Sequence, residues 1–500
     1  MKEHQKSSQT EQRRAILWSV VFGILFVLGV AMATICGWYR VTFDLEFKEL
    51  LYTLASPLKG TGESTVSQIL HACLPIVLIC TALYVVMAVL LWKKRELLPW
   101  ARRVGALLCV VVLIVASVFS VYALRLPAYL QALNDKTTVY EDYYVDPEMV
   151  TITANGEPKN LIYIYLESME TTYASKEVGG AQYYNFMPNL TDLAKENLSF
   201  SDKAEGMLGG FHTPLGTGWT MSALLATTSG IPFSFPLGEN GHNKMSQREY
   251  FASGLTTLGD ILAEKGYRQE FLCGSDSSFA GRDTYFEQHG NYEIFDLYTA
   301  IDEHYMTEDE TVWWGFTDEL LYKIAKDELT ELAAGERPFN FTMLTVDTHH
   351  IDGYFCKLCQ NKYGNKLANV VDCADRQLAS FLDWCREQDF YEDTVIVITG
   401  DHPRMDTTLV GDTDYYDRTI YNCFLNAVPT PAGKTTERLF TSFDLFPTTL
   451  AAMGFSIEGD RLGLGVNLFS TQSTLAEALG YDHLETEINK FSDYYIREFS

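Results

Sequence analysis

NLIYIYLES (residues 160–168) is the stretch on which the fold turns. It is a short apolar run rich in β-branched and aromatic side chains, the composition of a strand buried on both faces. Two more runs of the same kind follow, FNFTMLTVDT (339–348) and DTVIVITGDH (393–402). Among them lie segments with helical spacing, LTDLAKENL (190–198) and TTLGDILAEKG (256–266), the second closing at Gly266. Strands alternating with helices predict an α/β fold, a mainly parallel central sheet sandwiched by helices, over residues 159–500. In such sheets ligands gather beyond the carboxyl ends of the strands.

All three strands end in side chains that chemistry uses. The first finishes at Glu167, the second at His349 and His350, the third at Asp401 and His402. Singly, each reads as an ordinary turn residue or a structural histidine. Together they face one edge of one sheet. A fourth element joins them in LGTGWTMSALLATTSGIP (215–232), where a glycine-rich lead-in gives way at Thr220 to good helix formers. A threonine there serves either as an N-cap for orphan amides or as a hydroxyl nucleophile at an anion-binding helix terminus. Glu167, Asp401, His402 and the Thr220 oxygen would offer a cation three oxygens and one nitrogen. That mixture suits Mn²⁺ best, with Mg²⁺ or Zn²⁺ as alternatives. Coordination would lower the hydroxyl pKa and turn Thr220 into a competent nucleophile.

The chain before this region has a different character. Apolar runs at about 15–38, 69–92 and 104–124 each approach the ~20 residues that a bilayer-spanning helix needs. Lys2, Lys6, Arg13 and Arg14 precede the first, and Lys93, Lys94, Arg95, Arg102 and Arg103 fill the link between the second and third. Positive-inside counting puts the N-terminus and that link in the cytoplasm, and everything after about residue 125 outside. The expected organisation is a transmembrane anchor (1–125), a polar, irregular juxtamembrane linker (126–158) and an extracytoplasmic catalytic domain (159–500). In VTFDLEFKELLYTL (41–54), Phe43, Phe47, Leu50, Leu51 and Leu54 recur at helical spacing, as in a helix lying in the interface or packed on the bundle. Residues 1–125 carry a net charge of +6 and the remainder −33. So acidic a domain excludes nucleic acid as a partner.

Four of the ten cysteines (Cys36, Cys73, Cys80, Cys109) fall in the membrane runs. Cys356-Lys-Leu-Cys359 has the spacing of half a zinc knuckle, but no second such pair follows, and a disulfide among Cys356, Cys359 and Cys373 is the expectation.

Several motifs now converge on a known family. Glu167 after NLIYIYL, Thr220 before an ALLAT-type helix and Asp401-His402 after VIVITG resemble the alkaline phosphatase/sulfatase superfamily. Within it the chain is similar to the membrane phosphoglycerol transferases, which include lipoteichoic acid synthases and the transferase that decorates periplasmic glucans. The likeness covers roughly 140–470, through YEDYYVDP (140–147), MPNL (187–190), GTGWT…SGIP, SFAGRDTYFEQHG (278–290), WWGFTDELL (313–321), TVDTHHIDGY (345–354) and GDH (400–402). TVDTHH and TSGIP lean toward the glucan-modifying branch, and three spans depart from the five usual in lipoteichoic acid synthases.

The resemblance implies that Glu167, Thr220, Asp401 and His402 hold the metal and that Thr220 is the covalent nucleophile. It implies that Arg282 contacts a glycerophosphate headgroup and that His349 is the active-site histidine; His350 and Asp347 are implied as neighbours or ligands of a second metal. Trp313 and Trp314 are candidates for a pocket wall. Thr220 is followed by Met221, Ser222, Ala223 and Leu224, without the Pro and Arg of the sulfatase formylglycine motif. DHPRMD (401–406) lacks the acidic motif of phosphoethanolamine transferases. The expected activity is a membrane-anchored phosphoglycerol transferase moving glycerophosphate from phosphatidylglycerol to an extracytoplasmic glycan or teichoic-type acceptor. The alternatives are a membrane-tethered metal-dependent phosphodiesterase or phosphatase, and a non-enzymatic surface domain.

Overall fold

The computed structural model describes residues 2–43, 47–55, 63–93, 98–157, 159–234, 250–349, 351–406, 408–411 and 416–499. The chain divides into two compact units, Met1–Leu50 with Gly62–Gln131, and Leu51–Thr61 with Ala132–Ser500.

In the first unit, three helices run over Lys2–Thr42, Glu63–Lys93 and Leu98–Ala123. Each contains a stretch long and apolar enough to cross a membrane, Ile16–Thr42, Ser67–Leu90 and Arg103–Ala123. A polar contact joins the first two of these helices. The Tyr84 hydroxyl donates to the Ser19 carbonyl at 2.8 Å, and its ring stacks on Phe26. The amphipathic stretch after the first span does form a helix, Phe47–Ala55. Phe43 stands apart from it, bonded back to Tyr39 and packed on Trp38; residues 44–46 lie outside the described residues.

The second unit is built on strands β1 (Ile152–Ala154), β2 (Asn160–Leu166), β3 (Arg268–Cys273), β4 (Glu293–Phe295), β5 (Phe339–Leu344), β6 (Thr394–Gly400), β7 (Asn422–Leu425) and β8 (Phe455–Ile457). Six of them form one sheet in the order β4-β3-β5-β2-β6-β7, parallel except for β7 at the edge. β2 lies at the centre, with Ile162 opposite both Phe341 of β5 and Ile396 of β6. Alternation along β2 sends Leu161, Tyr163 and Tyr165 into one core and Ile162, Ile164 and Leu166 into the other. Helices Thr220–Ser229, Leu258–Glu264, Arg282–Gln288 and Leu445–Ala452 cover the first face. Pro188–Glu196, Asp318–Ala333 and Lys366–Arg386 cover the second. The α/β sandwich expected from the strand runs is therefore present, with the carboxyl ends of β2, β5 and β6 side by side.

The segment 126–158 is more ordered than its polar sequence implies. It contains a helix, Leu126–Asn134, a short turn of helix at Val139–Tyr143, and β1, which pairs antiparallel with β8. Tyr140 is 1% exposed and meets Tyr495 and Phe499 edge-on at 5.2 and 6.2 Å between ring centres. Its apolar partners sit at the far end of the chain, beyond the reach of any local pattern.

Candidate active site

The site begins with how three strand ends are brought level. Leu166 is in register with Gly400, so Glu167 and Asp401 emerge from adjacent parallel strands at the same height. Gly400 permits this, since a Cβ there would stand 2.0 Å from the Met169 carbonyl oxygen. The chain then turns sharply at Ser168, whose φ of 52° is left-handed and unfavourable for a non-glycine residue by roughly 1–2 kcal/mol. That turn aims the Ser168 amide at Asp401 Oδ1 (2.7 Å) and its hydroxyl at Glu167 Oε1 (2.7 Å).

Thr220 reaches the same point from a helix. The residue flanking the Thr220–Ser229 helix is Trp219, in extended conformation, and the Ser222 hydroxyl closes that end by accepting from the Trp219 amide at 3.1 Å. Thr220 is thus the first helical residue and not the cap. Its Oγ1 instead lies 3.3 Å from Glu167 Oε2 and 3.3 Å from His402 Nε2. His402 Nδ1 donates to the Pro403 carbonyl at 2.8 Å, which turns Nε2 toward the site. His402 Nε2 is also 3.5 Å from Glu167 Oε1 and 3.3 Å from Asp401 Oδ2.

Glu167, Asp401 and His402 are all buried, and their donor atoms lie within 4.8 Å of one another. Burial pushes Asp401 up to about 7, helped by the Glu167 charge. Burial also works against the ionised Glu167, but His349 and then His402 outweigh it and hold that carboxyl below its ordinary value. Burial disfavours the imidazolium of His402, whereas Asp401 and Glu167 favour it, and its pKa ends above normal. Asp401 Oδ1 accepts two backbone amides, from Ser168 and His402, while its buried Oδ2 has no hydrogen-bond partner among the described residues. Two carboxylates, an imidazole nitrogen and a hydroxyl converging on one point, with a carboxylate oxygen left over, fit a divalent cation.

Around this centre the other expected residues divide. His349 is partly buried, lies against the Trp314 ring at 4.6 Å and the Trp313 ring at 5.8 Å, and acts on Glu167 through its charge. The wall continues from Trp314 to Phe279 (5.9 Å) and from Phe279 to the Arg282 guanidinium (5.8 Å). Arg282 is 6% exposed and donates to the Phe279 and Asp276 carbonyls and to Ser275 Oγ, so it braces its own loop. Asp347 lies beside Asp318 and Cys356, and its pKa is pushed up to about 10 by burial and the Asp318 charge. His350 lies outside the described residues.

Hydroxyls and an ion-pair network escaped sequence reasoning. Thr348 Oγ1 donates to the Glu167 carbonyl at 2.6 Å, and Thr345 Oγ1 accepts from the Glu167 amide at 3.0 Å. Arg418 clasps Glu170 with two bonds of 2.8 and 2.7 Å, and the fully buried Arg404 donates to the Thr348 carbonyl and to Asp406. The Arg and Asp of DHPRMD, and a Glu three residues after Glu167, were the available signals.

Residues 159–455 match the sulfatase family, and the chain belongs to it. Among its relatives, phosphoglycerol transferase I of Shigella flexneri is 31% identical over 469 residues, 91% of this chain and 56% of the relative. The phosphoglycerol transferase I of Escherichia coli (strain SMS-3-5 / SECEC) matches over the same length at 31% identity, again covering 91% of this chain and 56% of its own. The chain therefore spans about half the length of these transferases. A solved structure of an alkaline phosphatase superfamily protein from Vibrio parahaemolyticus is 21% identical, with a TM-score of 0.48, covering 66% of this chain and 74% of that one. The lipoteichoic acid synthase LtaP from Listeria monocytogenes is 19% identical with a TM-score of 0.48, covering 64% and 79%.

Proposed function

We infer that the chain is a membrane-anchored phosphoglycerol transferase that uses Thr220 as a covalent nucleophile. The observation that carries this reading is the Thr220 oxygen, 3.3 Å from both Glu167 and His402 at the start of a helix that does not need it as a cap. Glu167, Thr220, Asp401 and His402 would hold one divalent cation, Mn²⁺ by the balance of oxygen and nitrogen donors. Such an ion supplies Lewis acidity and a lowered hydroxyl pKa.

The residues then divide the work. The Glu167 carboxylate, whose Oε2 is 3.3 Å from Thr220 Oγ1, is the acceptor available to the Thr220 hydroxyl proton, since the lone pair of His402 Nε2 would be taken up by the ion. Thr220 Oγ1 forms a bond to the phosphorus of phosphatidylglycerol as the bond to the diacylglycerol oxygen breaks, and His349 gives that oxygen its proton. The free amides at the start of the Thr220–Ser229 helix face the phosphoryl oxygens and favour their charge. A hydroxyl of a glycan or teichoic-type acceptor then attacks the glycerophospho-threonine, loses its proton to His349 and restores Thr220. Trp313, Trp314 and Arg282 form one side of the headgroup site, and His350, next in sequence to His349, is taken as a further contact to the substrate.

The basic residues before the first span and between the second and third support a cytoplasmic N-terminus. With three spans the catalytic unit is then extracytoplasmic, beside the leaflet that contains its donor. The experiment is diacylglycerol release from labelled phosphatidylglycerol by the full chain. Thr220→Ala should lower it by about 10³-fold or more, and unchanged release removes Thr220 as nucleophile. Free glycerophosphate as the sole product, with glycan acceptor present, would make the protein a phosphodiesterase.

A further inference from the structure

Beyond His349 in the chain, three thiols converge. Cys356 and Cys359 belong to the loop after β5, and Cys373 to the Lys366–Arg386 helix. The Cys356 Sγ is 3.6 Å from that of Cys359 and 3.8 Å from that of Cys373, and all three sulfurs lie within 4.8 Å of one another. None of the three is in a disulfide. The expected pairing would consume two of these thiols and strand the third, whereas a cation uses all three. Thiolates ~2.3 Å from a tetrahedral zinc stand about 3.8 Å apart, so the sulfurs already have the spacing of its coordination sphere.

The surroundings suit a cation. Cys356 and Cys373 are buried. Asp347 adjoins Cys356, is 3% exposed, and has a carboxylate oxygen, Oδ2, with no hydrogen-bond partner among the described residues. Gln377 donates to Cys373 Sγ at 3.5 Å, and the Arg376 charge acts on the same sulfur. Thiols this close to one another and to an incompletely bonded buried carboxyl form a donor set that a positive ion stabilises.

We propose that Cys356, Cys359 and Cys373 bind one zinc ion, which clips the loop carrying His349 to the Lys366–Arg386 helix. The same loop already leans on the active-site wall. The Gly353 amide donates to the His349 carbonyl at 3.1 Å, the Tyr354 amide to the Asp347 carbonyl at 2.7 Å, and the Tyr354 ring stacks on Trp313. The zinc site is thus a structural clasp whose loss loosens the seat of His349.

The test uses the full chain in detergent micelles, loaded with Co²⁺ in place of its own metal. Sulfur bound to cobalt gives an intense near-ultraviolet charge-transfer band, which the oxygen and nitrogen donors around Thr220 cannot produce. The band should appear in the unsubstituted protein, survive His402→Ala, and vanish in Cys359→Ser and Cys373→Ser. Thiol alkylation of the unsubstituted protein, which needs no folded variant, gives a second reading. The three thiols should be blocked as purified and become reactive after chelation without reductant. A cobalt-loaded protein lacking the band, or non-reduced peptide mapping that finds any two of the three joined as a disulfide, overturns the proposal.

Discussion

Glu167 gains its position from hydroxyls on every side of it: Ser168 on a carboxylate oxygen, Thr345 on its amide and Thr348 on its carbonyl. The Ser168 bond is the one that touches the charged end. Ser168→Ala should weaken divalent-ion binding by about 10–100-fold, the usual cost of losing a group that orients a ligand, read by titration calorimetry on the full chain. An unaltered affinity would mean that the turn alone orients Glu167. Glu167, Asp401 and His402 were legible in the sequence because each follows a continuous apolar, β-rich run. Ser168, Thr345 and Thr348 were not, since a hydroxyl near a strand end looks the same whether it orients a carboxylate or faces water. Arg282 was expected only through resemblance, and the geometry shows it bracing the loop that carries Phe279.

At the scale of elements, β2 and β6 meet through Gly400. Replacing it by alanine puts a methyl group 2.0 Å from the Met169 carbonyl. Gly400→Ala should destabilise the fold by roughly 1–3 kcal/mol in denaturant unfolding and weaken ion binding with it, because Asp401 follows directly. A second element effect lies on β3. Glu270 is buried, one of its oxygens has no partner among the described residues, and its pKa is pushed up to about 9 by burial and by the charges of Glu328 and Glu293. The folded chain therefore holds a proton that an unfolded one releases above about pH 4.5. Stability from this group is present below that pH and is lost as pH rises toward 9. Glu270→Gln should flatten that decline and raise the melting temperature at pH 8 by a few degrees, while parallel melting curves for the two proteins would count against it. The three strands that carry the candidate site, β2, β5 and β6, were readable from their apolar composition, whereas β1, β3, β4, β7 and β8 were not singled out. The ordering of 126–158 was not, because the burial of Tyr140 depends on Tyr495 and Phe499.

For the whole molecule, charge and substrate are at odds. The chain beyond residue 125 carries −33, and the proposed donor is an anionic lipid in an anionic surface. Electrostatic repulsion should slow productive encounter, and screening should relieve it. On phosphatidylglycerol vesicles, kcat/KM should rise roughly two- to five-fold as NaCl increases from about 20 to 200 mM, with little change on a neutral, short-chain donor. A fall with salt would indicate a local basic surface that overrides the net charge. Because Thr220 is the first helical residue and Trp219 holds the cap position, the side chain at 220 takes no part in ending the helix. Serine or cysteine could be installed there to change reactivity without unsettling the scaffold. If Thr220 is the nucleophile as proposed, a phosphonate warhead directed at that hydroxyl would mark the protein covalently in its folded form, a handle for inhibitors as much as for labelling.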